Sequence, residues 1–262
     1  MQLLVFRALW GMTGPLHEQV EQVAAAGYDG FELWPAQWTF SRQEIMKLAA
    51  DHGQKLIVGA AIADKNDLEP VLTALAAFDP VRINLHSGRD SMTPNAAAEF
   101  FAEALRVEAQ IGVPVGHETH RGRILFTPWT TAALLRQFKD LKITADYSHW
   151  VNVCERLPDD EAEALAMANG RAVHIHGRVG YEEGPQVPDP SAPEYALQLA
   201  WHERQWLDIR RCHEQSGAEV MTFTPEYGPP NYLHTLPHTH VPVADLWQIC
   251  LWGANRARDL LR

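Results

Sequence analysis

Residues 41–62 read SRQEIMKLAADHGQKLIVGAAI, and this stretch contains one complete helix–strand unit. Ser41 and Glu44 form a capping box, which predicts a helix over Arg42–His52 that ends at a glycine. The apolar run that follows, Lys55–Ile62, predicts a buried strand. Units of the same kind recur on both sides of this stretch, so its pattern decides the fold.

Predicted strands and helices alternate along the chain, with eight of each. The strands are Leu3–Leu9, Tyr28–Trp34, Lys55–Ile62, Val81–His86, Val113–Glu118, Lys142–Asp146, Ala172–His176 and Glu219–Thr224. The helices are Leu16–Ala24, Arg42–His52, Leu68–Phe78, Pro94–Ile111, Pro128–Phe138, Asp159–Ala168, Glu194–Gln215 and Pro242–Leu261. This alternation implies parallel strands joined by right-handed crossovers.

The number of units and the length of the chain together favour one architecture. Eight units in 262 residues predict an α/β fold, a (β/α)8 TIM barrel that forms a single domain over residues 1–262. A doubly wound open sheet is the structural alternative, and it usually carries a glycine-rich phosphate turn after an early strand. The sequence has no such turn, so the barrel is favoured.

Composition excludes several classes of protein. A formal net charge of −11 argues against a protein that grips the phosphates of nucleic acid. The longest apolar run, Leu56–Ala63, is too short to cross a membrane. Residues 1–12 lack a small-residue cleavage site, and the three cysteines lie far apart. We therefore expect a cytoplasmic protein without a disulfide framework.

Ionisable residues gather where the predicted strands end, which is the edge at which TIM barrels do their chemistry. Four of them follow consecutive strands, namely Glu118, Asp146, His176 and Glu226. Because buried charges need partners, we expect these four to bind one divalent cation. Three carboxylates and one imidazole suit Mn²⁺, Mg²⁺ or Co²⁺, with Zn²⁺ as a softer alternative. The competing interpretation is a network of buried hydrogen bonds at the rim.

The sequence resembles the xylose isomerase-like TIM-barrel superfamily, in its sugar isomerase/epimerase branch, over nearly the whole chain. The resemblance rests on Gly27–Glu32, on the end of the Glu118 strand, and on three further elements: Asp146-x-x-His149, His174-x-His176 and Glu226. It implies that Glu118, Asp146, His176 and Glu226 hold one divalent metal. It further implies that Glu118 and Glu226 are the acid–base pair and that His149 contacts substrate.

The sequence lacks characteristic residues of two subgroups of this family. The ketose 3-epimerases carry a substrate arginine six residues beyond the metal histidine, where this chain has Glu182, and the nearest arginine is Arg178. Endonuclease IV, a three-zinc relative, needs a histidine after strand three, but Ala61–Asp64 contains none. Together with the net charge, this argues against cleavage of DNA.

The predicted chemistry follows from the parts of the site. A cation that chelates a carbonyl oxygen and the adjacent hydroxyl acidifies the neighbouring C–H, and a glutamate can then remove the proton to give an enediolate. Return of the proton gives epimerisation or aldose–ketose isomerisation, whereas loss of a β-hydroxyl gives dehydration. The leading hypothesis is a metal-dependent sugar isomerase/epimerase. The alternatives are a dehydratase of an inosose-like keto-polyol and a non-catalytic sugar-binding barrel.

Four further residues are candidates for substrate binding, each with a competing role. His149 could instead brace Asp146, and His120, with Arg121, could instead pair with acids on the rim. Arg178 could bind an anionic group of the substrate, or it could hold the long loop through Glu182 or Glu183. His86 could also be a ligand of a second ion or make a rim hydrogen bond.

Several tryptophans, histidines and a long loop each have a functional and a structural interpretation. Trp10, Trp34 and Trp150 could stack on a sugar ring or belong to the core, and His174 is expected to be structural. The loop Gly177–Pro193 could be a lid or a contact in a homo-oligomer. His234, His238 and His240 resemble a metal cluster, but we expect a solvated loop.

Overall fold

Eight parallel strands pair in chain order and close into a barrel in the computed structural model, which describes residues 1–37 and 39–262. The strands are β1 (Gln2–Ala8), β2 (Gly30–Leu33), β3 (Lys55–Ile62), β4 (Arg82–Ser87), β5 (Val115–Glu118), β6 (Ile143–Ala145), β7 (Ala172–His176) and β8 (Val220–Thr224). The last strand pairs in parallel with the first, which closes the sheet. The predicted (β/α)8 barrel is therefore confirmed.

Nine α-helices occur in the described part of the chain, one more than the sequence predicts. They are α1 (Leu16–Ala25), α2 (Arg42–Asp51), α3 (Leu68–Ala76), α4 (Pro94–Ile111), α5 (Pro128–Gln137), α6 (Ser148–Cys154), α7 (Ala162–Asn169), α8 (Ala196–Ser216) and α9 (Leu246–Leu260). None of the helices in the described ranges is long and apolar enough to cross a membrane.

Local capping explains where several helices begin. Ser41 and Glu44 form the predicted capping box of α2, and Thr93 and Thr127 cap α4 and α5 through their hydroxyl groups. The predicted start of the last helix, Pro242, is too early. Asp245 accepts hydrogen bonds from the first amides of α9, so the helix begins at Leu246 rather than at Pro242.

The helix α6 was not predicted, and it matters because it starts directly beside Asp146. The carboxylate of Asp146 accepts a hydrogen bond from the backbone N–H of Ser148 at 3.1 Å. This bond satisfies one of the first amides of a helix of only seven residues. A helix this short shows too few turns for hydrophobic periodicity to reveal it.

The interior of the barrel is apolar near one end and polar near the other. Leu4, Phe6 and Ile57 form a small apolar cluster, separate from the large core that includes residues of the helices. Side chains alternate across a strand, so the inward positions further along the strands belong to the same lumen. There the buried residues are polar, as with Thr224 and Asn84. The apolar cluster therefore closes one end, and the functional groups line the other.

Candidate active site

A cavity of about 270 Å³ opens where the strands end, and most of the predicted site residues line it. Its size is close to the lower end of the range for small-molecule sites. The lining side chains are Trp10, Trp34, His86, Glu118, His120, Arg178, Glu226 and Tyr232.

The four predicted metal ligands come together at the base of this cavity, and we call them the primary cluster. One ligand atom from each of Glu118, Asp146, His176 and Glu226 lies within 4.8 Å of all the others. Nδ1 of His176 lies 3.4 Å from Oε2 of Glu118 and 3.1 Å from Oε2 of Glu226. The barrel therefore brings these four strand ends to one point.

His176 is held from behind by Glu32, a residue to which the sequence analysis gave no role. Nε2 of His176 lies 3.0 Å and 3.2 Å from the two carboxylate oxygens of Glu32, and Thr224 donates its hydroxyl proton to the same carboxylate. Because a carboxylate only accepts, Nε2 carries a proton, and Nδ1 faces the primary cluster. The inward register of Glu32 at the end of β2 is the sequence feature that could have revealed it.

Charges around His176 determine its protonation. Burial lowers the pKa of His176, but the carboxylates of Glu226, Glu32 and Glu118 outweigh it and raise this pKa well above its ordinary value. The ring therefore carries a positive charge between its carboxylate neighbours. A bound divalent cation would take the place of the proton on Nδ1.

Glu118 is fixed by neighbours from β4. Asn84 donates its side-chain N–H to Oε2 of Glu118 at 2.7 Å, and Nε2 of His86 lies 3.0 Å from the same oxygen. Burial raises the pKa of Glu118, yet the opposing charges of His86 and His176 hold it well below its usual range. The other oxygen, Oε1, is buried without a hydrogen-bond partner in the described part of the chain.

Arg178 lies inside the primary cluster. Its buried guanidinium pairs with Oδ2 of Asp146, and also with Oε2 of Glu226 at 2.9 Å. Among the described residues, its ion-pair partners are therefore these two acids and not the predicted Glu182 or Glu183. The carboxylates of Asp146 and Glu226 repel each other, and Arg178 offsets that repulsion.

Asp146 and Arg178 each shift the pKa of the other. Burial raises the pKa of Asp146, and the neighbouring acids Glu118 and Glu226 add to this rise, while Arg178 opposes it. Burial by itself would lower the pKa of Arg178, but the carboxylates of Asp146 and Glu226 raise it above its ordinary value. Ser148 also donates its backbone and hydroxyl protons to Oδ1 of Asp146. Asp146 is thereby the most fully bonded carboxylate of the cluster.

Three histidine rings form a row along one side of the cavity. The ring centroids of His86 and His120 lie 4.1 Å apart, and those of His120 and His149 lie 3.9 Å apart. Burial, with the charge of His86, lowers the pKa of His120 to about 3. Burial, with His120 and Arg178, lowers the pKa of His149 well below its ordinary value. His149 is fully buried, with Nε2 at 3.7 Å from Oδ2 of Asp146.

Aromatic side chains form the outer part of the cavity. Trp10 and Trp34 line it, whereas Trp150 is fully buried and donates its indole N–H to the carbonyl of Leu125, so Trp150 belongs to the core. Tyr232, missed by the sequence analysis, packs edge-on against Trp10 at 5.0 Å. It lies in the long loop after β8, where no periodic pattern indicates which residues face inward.

The loop after β7 is bonded to the body of the barrel. Val179 donates its backbone N–H to the Tyr227 hydroxyl at 3.0 Å, and Gly180 donates to Nε2 of His202 at 3.0 Å. Gln186 exchanges two hydrogen bonds with the backbone of Gly228. These bonds pack the loop against α8 and against the residues that follow β8.

The remaining histidines agree with the more ordinary expectations. His174 is buried and bonds to the hydroxyls of Thr222 and Thr224. Its structural role stays a prediction, because one ligand atom from each of Glu32, His174 and His176 also lies within 4.8 Å of the other two. His234, His238 and His240 are exposed in the loop before α9. In the part of the chain that the structure describes, they do not belong to a group that could hold a metal.

The primary cluster satisfies a simple test for a divalent cation. Two ligands that each bind one ion at about 2.0–2.3 Å lie about 3.0–3.5 Å from each other. The distances from Nδ1 of His176 to Glu118 and Glu226 have these values. Within the described residues, Nδ1 of His176 is buried without a hydrogen-bond partner. The donor atoms therefore fit a metal, with Arg178 as an additional partner of two of the acids.

Comparisons with known proteins agree on the fold. A family profile described as xylose isomerase-like TIM barrel matches residues 20–186, which is more than half of the chain. A comparison with curated protein sequences finds no match.

Solved structures resemble the chain over almost its full length. The 3-keto-D-glucoside 4-epimerase YcjR from E. coli is 14% identical, with a TM-score of 0.62 and coverage of 98% of this chain and 100% of that one. The probable 3-DHS dehydratase AsbF from Bacillus anthracis is also 14% identical, with a TM-score of 0.62 and coverage of 97% and 98%. A xylose isomerase-like TIM barrel protein from Mycobacterium smegmatis, solved with magnesium, is 13% identical, with a TM-score of 0.63 and coverage of 99% and 96%. At such identities the likeness extends to the fold alone.

Proposed function

The chain belongs to the xylose isomerase-like TIM-barrel family, and we propose that it is a divalent-metal-dependent sugar isomerase or epimerase. One observation carries this proposal. The carboxylates of Glu118 and Glu226 line the same cavity, and each lies within 3.4 Å of Nδ1 of His176. Two such groups at one substrate allow a proton to be removed from one face of a carbon and returned to the other, which is what epimerisation needs.

The primary cluster would hold the cation. Its three carboxylates and one imidazole suit Mn²⁺, Mg²⁺ or Co²⁺, and Zn²⁺ also accepts such ligands. When bound, a divalent cation would polarise the carbonyl group of the substrate and make the neighbouring C–H more acidic. Glu32, through Nε2 of His176, would keep Nδ1 directed at the cation.

Glu118 and Glu226 would carry the proton. Oε1 of Glu118 has no hydrogen-bond partner among the described residues, so it is free to accept a proton from the substrate carbon. The carboxylate of Glu226 is partly exposed to the cavity and can return a proton from another direction. Return to the same carbon gives an epimer, and return to the adjacent carbon exchanges an aldose and a ketose.

The rest of the cavity would bind and orient the sugar. Trp10, Trp34 and Tyr232 offer apolar faces that exclude water, as sugar C–H groups require. His86 and His120 line the same wall and would bind hydroxyl groups. His149 and Arg178, which lie deeper, would orient the substrate through the carboxylates that they contact. We infer a small sugar or polyol as the substrate.

Proton exchange at carbon provides the decisive test. We expect the cation-loaded protein in D₂O to incorporate deuterium into at least one member of a panel of ketoses, aldoses and inososes. Exchange without loss of water supports isomerisation or epimerisation, whereas an enone product would show the dehydratase. Without a bound metal and without exchange, the non-catalytic sugar-binding barrel would be the better description.

A pair of matched variants assigns the exchange to the site. Glu226→Gln should reduce the exchange rate by about 10²–10⁴-fold, the contribution expected of a general acid or base. Glu203→Gln is the control, because Glu203 is also largely buried but pairs with Arg256 on the outer surface. Equal exchange in both variants would contradict the proposal. Cytoplasmic location, self-association and lack of nucleic-acid binding stay predictions.

A further inference from the structure

A small pocket, which we call the side pocket, lies beside the main cavity. It has a volume of about 30 Å³ and shares Trp10, Trp34 and Glu226 with the main cavity. Ala8 and Glu32, at the ends of β1 and β2, also line it. We propose that the side pocket is a subsite for one neutral hydroxymethyl group at the end of the substrate. This inference rests on the proposed function and adds the chemical class of one end of the substrate.

The side pocket exists because a small residue ends the inward face of β1. Side chains alternate across a strand, so Ala8 faces the lumen as Leu4 and Phe6 do, and these two belong to the apolar cluster. Ala8 lies beside Glu32 of β2 in the register of the sheet. A methyl group therefore stands where a larger inward side chain would fill the space.

Two glycines hold the tryptophan walls of the side pocket in place. A Cβ atom at Gly59 would lie only 2.7 Å from Nε1 of Trp34, and a Cβ atom at Gly228 would overlap the ring of Trp10. Each indole ring thus occupies the space that a side chain would need. Gly228 is itself fixed, because its backbone N–H and carbonyl both bond to the side chain of Gln186. Both walls therefore pack directly against backbone.

The size of the side pocket suits one small group. A water molecule needs about 10–15 Å³ of such space, so the side pocket holds about two non-hydrogen atoms. A hydroxymethyl group, with one carbon and one oxygen, fits this space. A phosphate group is too large for it.

The charge of the side pocket also favours a neutral hydroxyl. Glu32 and Glu226 both line it, and carboxylates accept hydrogen bonds but repel other anions. The contacts of Glu226 with His176 and Arg178 fall on Oε2, which leaves Oε1 to accept a hydroxyl proton. The tryptophan rings offer apolar faces to the carbon of the group. A hydroxymethyl group therefore matches both kinds of wall.

Ordered water could fill the same volume without any part in recognition. The shared lining favours a substrate group, because Glu226 belongs both to the side pocket and to the primary cluster. A substrate held at the primary cluster would therefore have its next atoms beside the side pocket. This continuity makes the side pocket a part of the site.

Binding of a series of linear polyols tests the subsite without turnover. Isothermal titration measures the affinity of the Mn²⁺-loaded full-length protein for erythritol, xylitol and sorbitol, each one carbon longer than the last. We expect the affinity to rise by about 10-fold or more at one step of the series, as one carbon gives in a fitted pocket. Ala8→Val fills the side pocket, so its affinities on either side of that step should differ by less than about two-fold.

Ala74→Val is the matched control, because Ala74 is exposed on α3, and this variant should keep the step. Valine suits a strand, and circular dichroism establishes that each variant is folded. The absence of a step in the unaltered protein, or a step that persists in Ala8→Val, would overturn the subsite.

A crystal structure with the tightest-binding polyol gives a result that does not require any variant to fold. We expect its terminal hydroxymethyl group between Trp10 and Trp34, and water alone in the side pocket would overturn the subsite. Deuterium exchange separates this inference from the proposed function. A step lost in Ala8→Val without exchange on any substrate would keep the subsite and overturn the proposed catalysis, whereas exchange without a step would do the reverse.

Discussion

His117 and Glu118 are neighbours at the end of β5, yet they face opposite sides of the barrel wall. His117 faces the helices, where its ring contacts Ser87 Oγ at 2.6 Å and Glu108 Oε1 at 2.8 Å. It also packs edge-on against Phe101 at 5.0 Å. Glu118 faces the lumen and lies among several charged groups. Both side chains are almost completely buried, so burial does not distinguish them.

The difference between the two faces is whether every polar atom has a partner. Both nitrogens of His117 are bonded, whereas one oxygen of Glu118 is unpartnered among the described residues. A buried polar atom without a partner costs about 1–3 kcal/mol. The polar groups on the outer face of β5 are therefore fully bonded, whereas the inner face leaves one oxygen of Glu118 unbonded at some cost in stability.

The largest expected effect is on the inner face. Glu118→Gln keeps the shape of the side chain but removes the charge and the base, so deuterium exchange should fall on the order of 10³-fold. Thermal unfolding should show that the fold is retained. An unchanged exchange rate would mean that the inner face of β5 has no catalytic role.

On the outer face of β5 we expect a substitution to lower stability and to leave the rate of deuterium exchange almost unchanged. His117→Leu leaves Ser87 and Glu108 without their common partner and should lower the free energy of unfolding by about 2–3 kcal/mol. Urea denaturation measures this change. The exchange rate per folded molecule should stay within a factor of about two, because the outer partners do not contact the cavity. A large loss of deuterium exchange in His117→Leu would contradict the proposal that only the inner face of β5 acts in catalysis.

A smaller effect is expected for the residue that orients Glu118. Asn84→Ala removes the 2.7 Å hydrogen bond to Oε2, and outer partners of this kind typically contribute 10–100-fold to metal affinity. Isothermal titration with Mn²⁺ should show a loss of about 10-fold or more. Gln54→Ala, whose side chain bonds to the backbone of Tyr28 outside the cavity, should bind Mn²⁺ normally.

The last prediction concerns the stability of the fold alone, through a histidine that is buried away from the cavity. Burial lowers the pKa of His202 to about 3, so the unfolded chain takes up a proton below about pH 6.5 that the folded chain does not. The stability contribution of His202 is therefore complete above pH 6.5 and is lost as the pH falls toward 3. His202→Gln keeps an acceptor for Gly180, and its loss of stability between pH 7.5 and 4.5 should be smaller by about 2.5–3 kcal/mol. Parallel pH dependence in urea unfolding would contradict this assignment.

Prediction from sequence succeeded where local rules operate. The capping box at Ser41 and the threonine caps at Thr93 and Thr127 fix the starts of three helices, because their bonds join residues three positions apart. The bounds predicted for β3 and β7 match the structure. The sequence analysis missed α6 because a helix of seven residues has too few turns for hydrophobic periodicity to reveal it.

The sequence by itself determined the order of strands and helices, the barrel class and the set of strand ends that carry ionisable residues. Those features follow from periodicity and from short-range capping. Only the tertiary structure decided which partner each charge meets. Glu32 contacts His176 although the two are 144 residues apart, and Arg178 pairs with Asp146 and Glu226 rather than with nearby acids. Closure of the barrel creates these contacts, and no local pattern encodes the distance between two strands that are far apart in the chain.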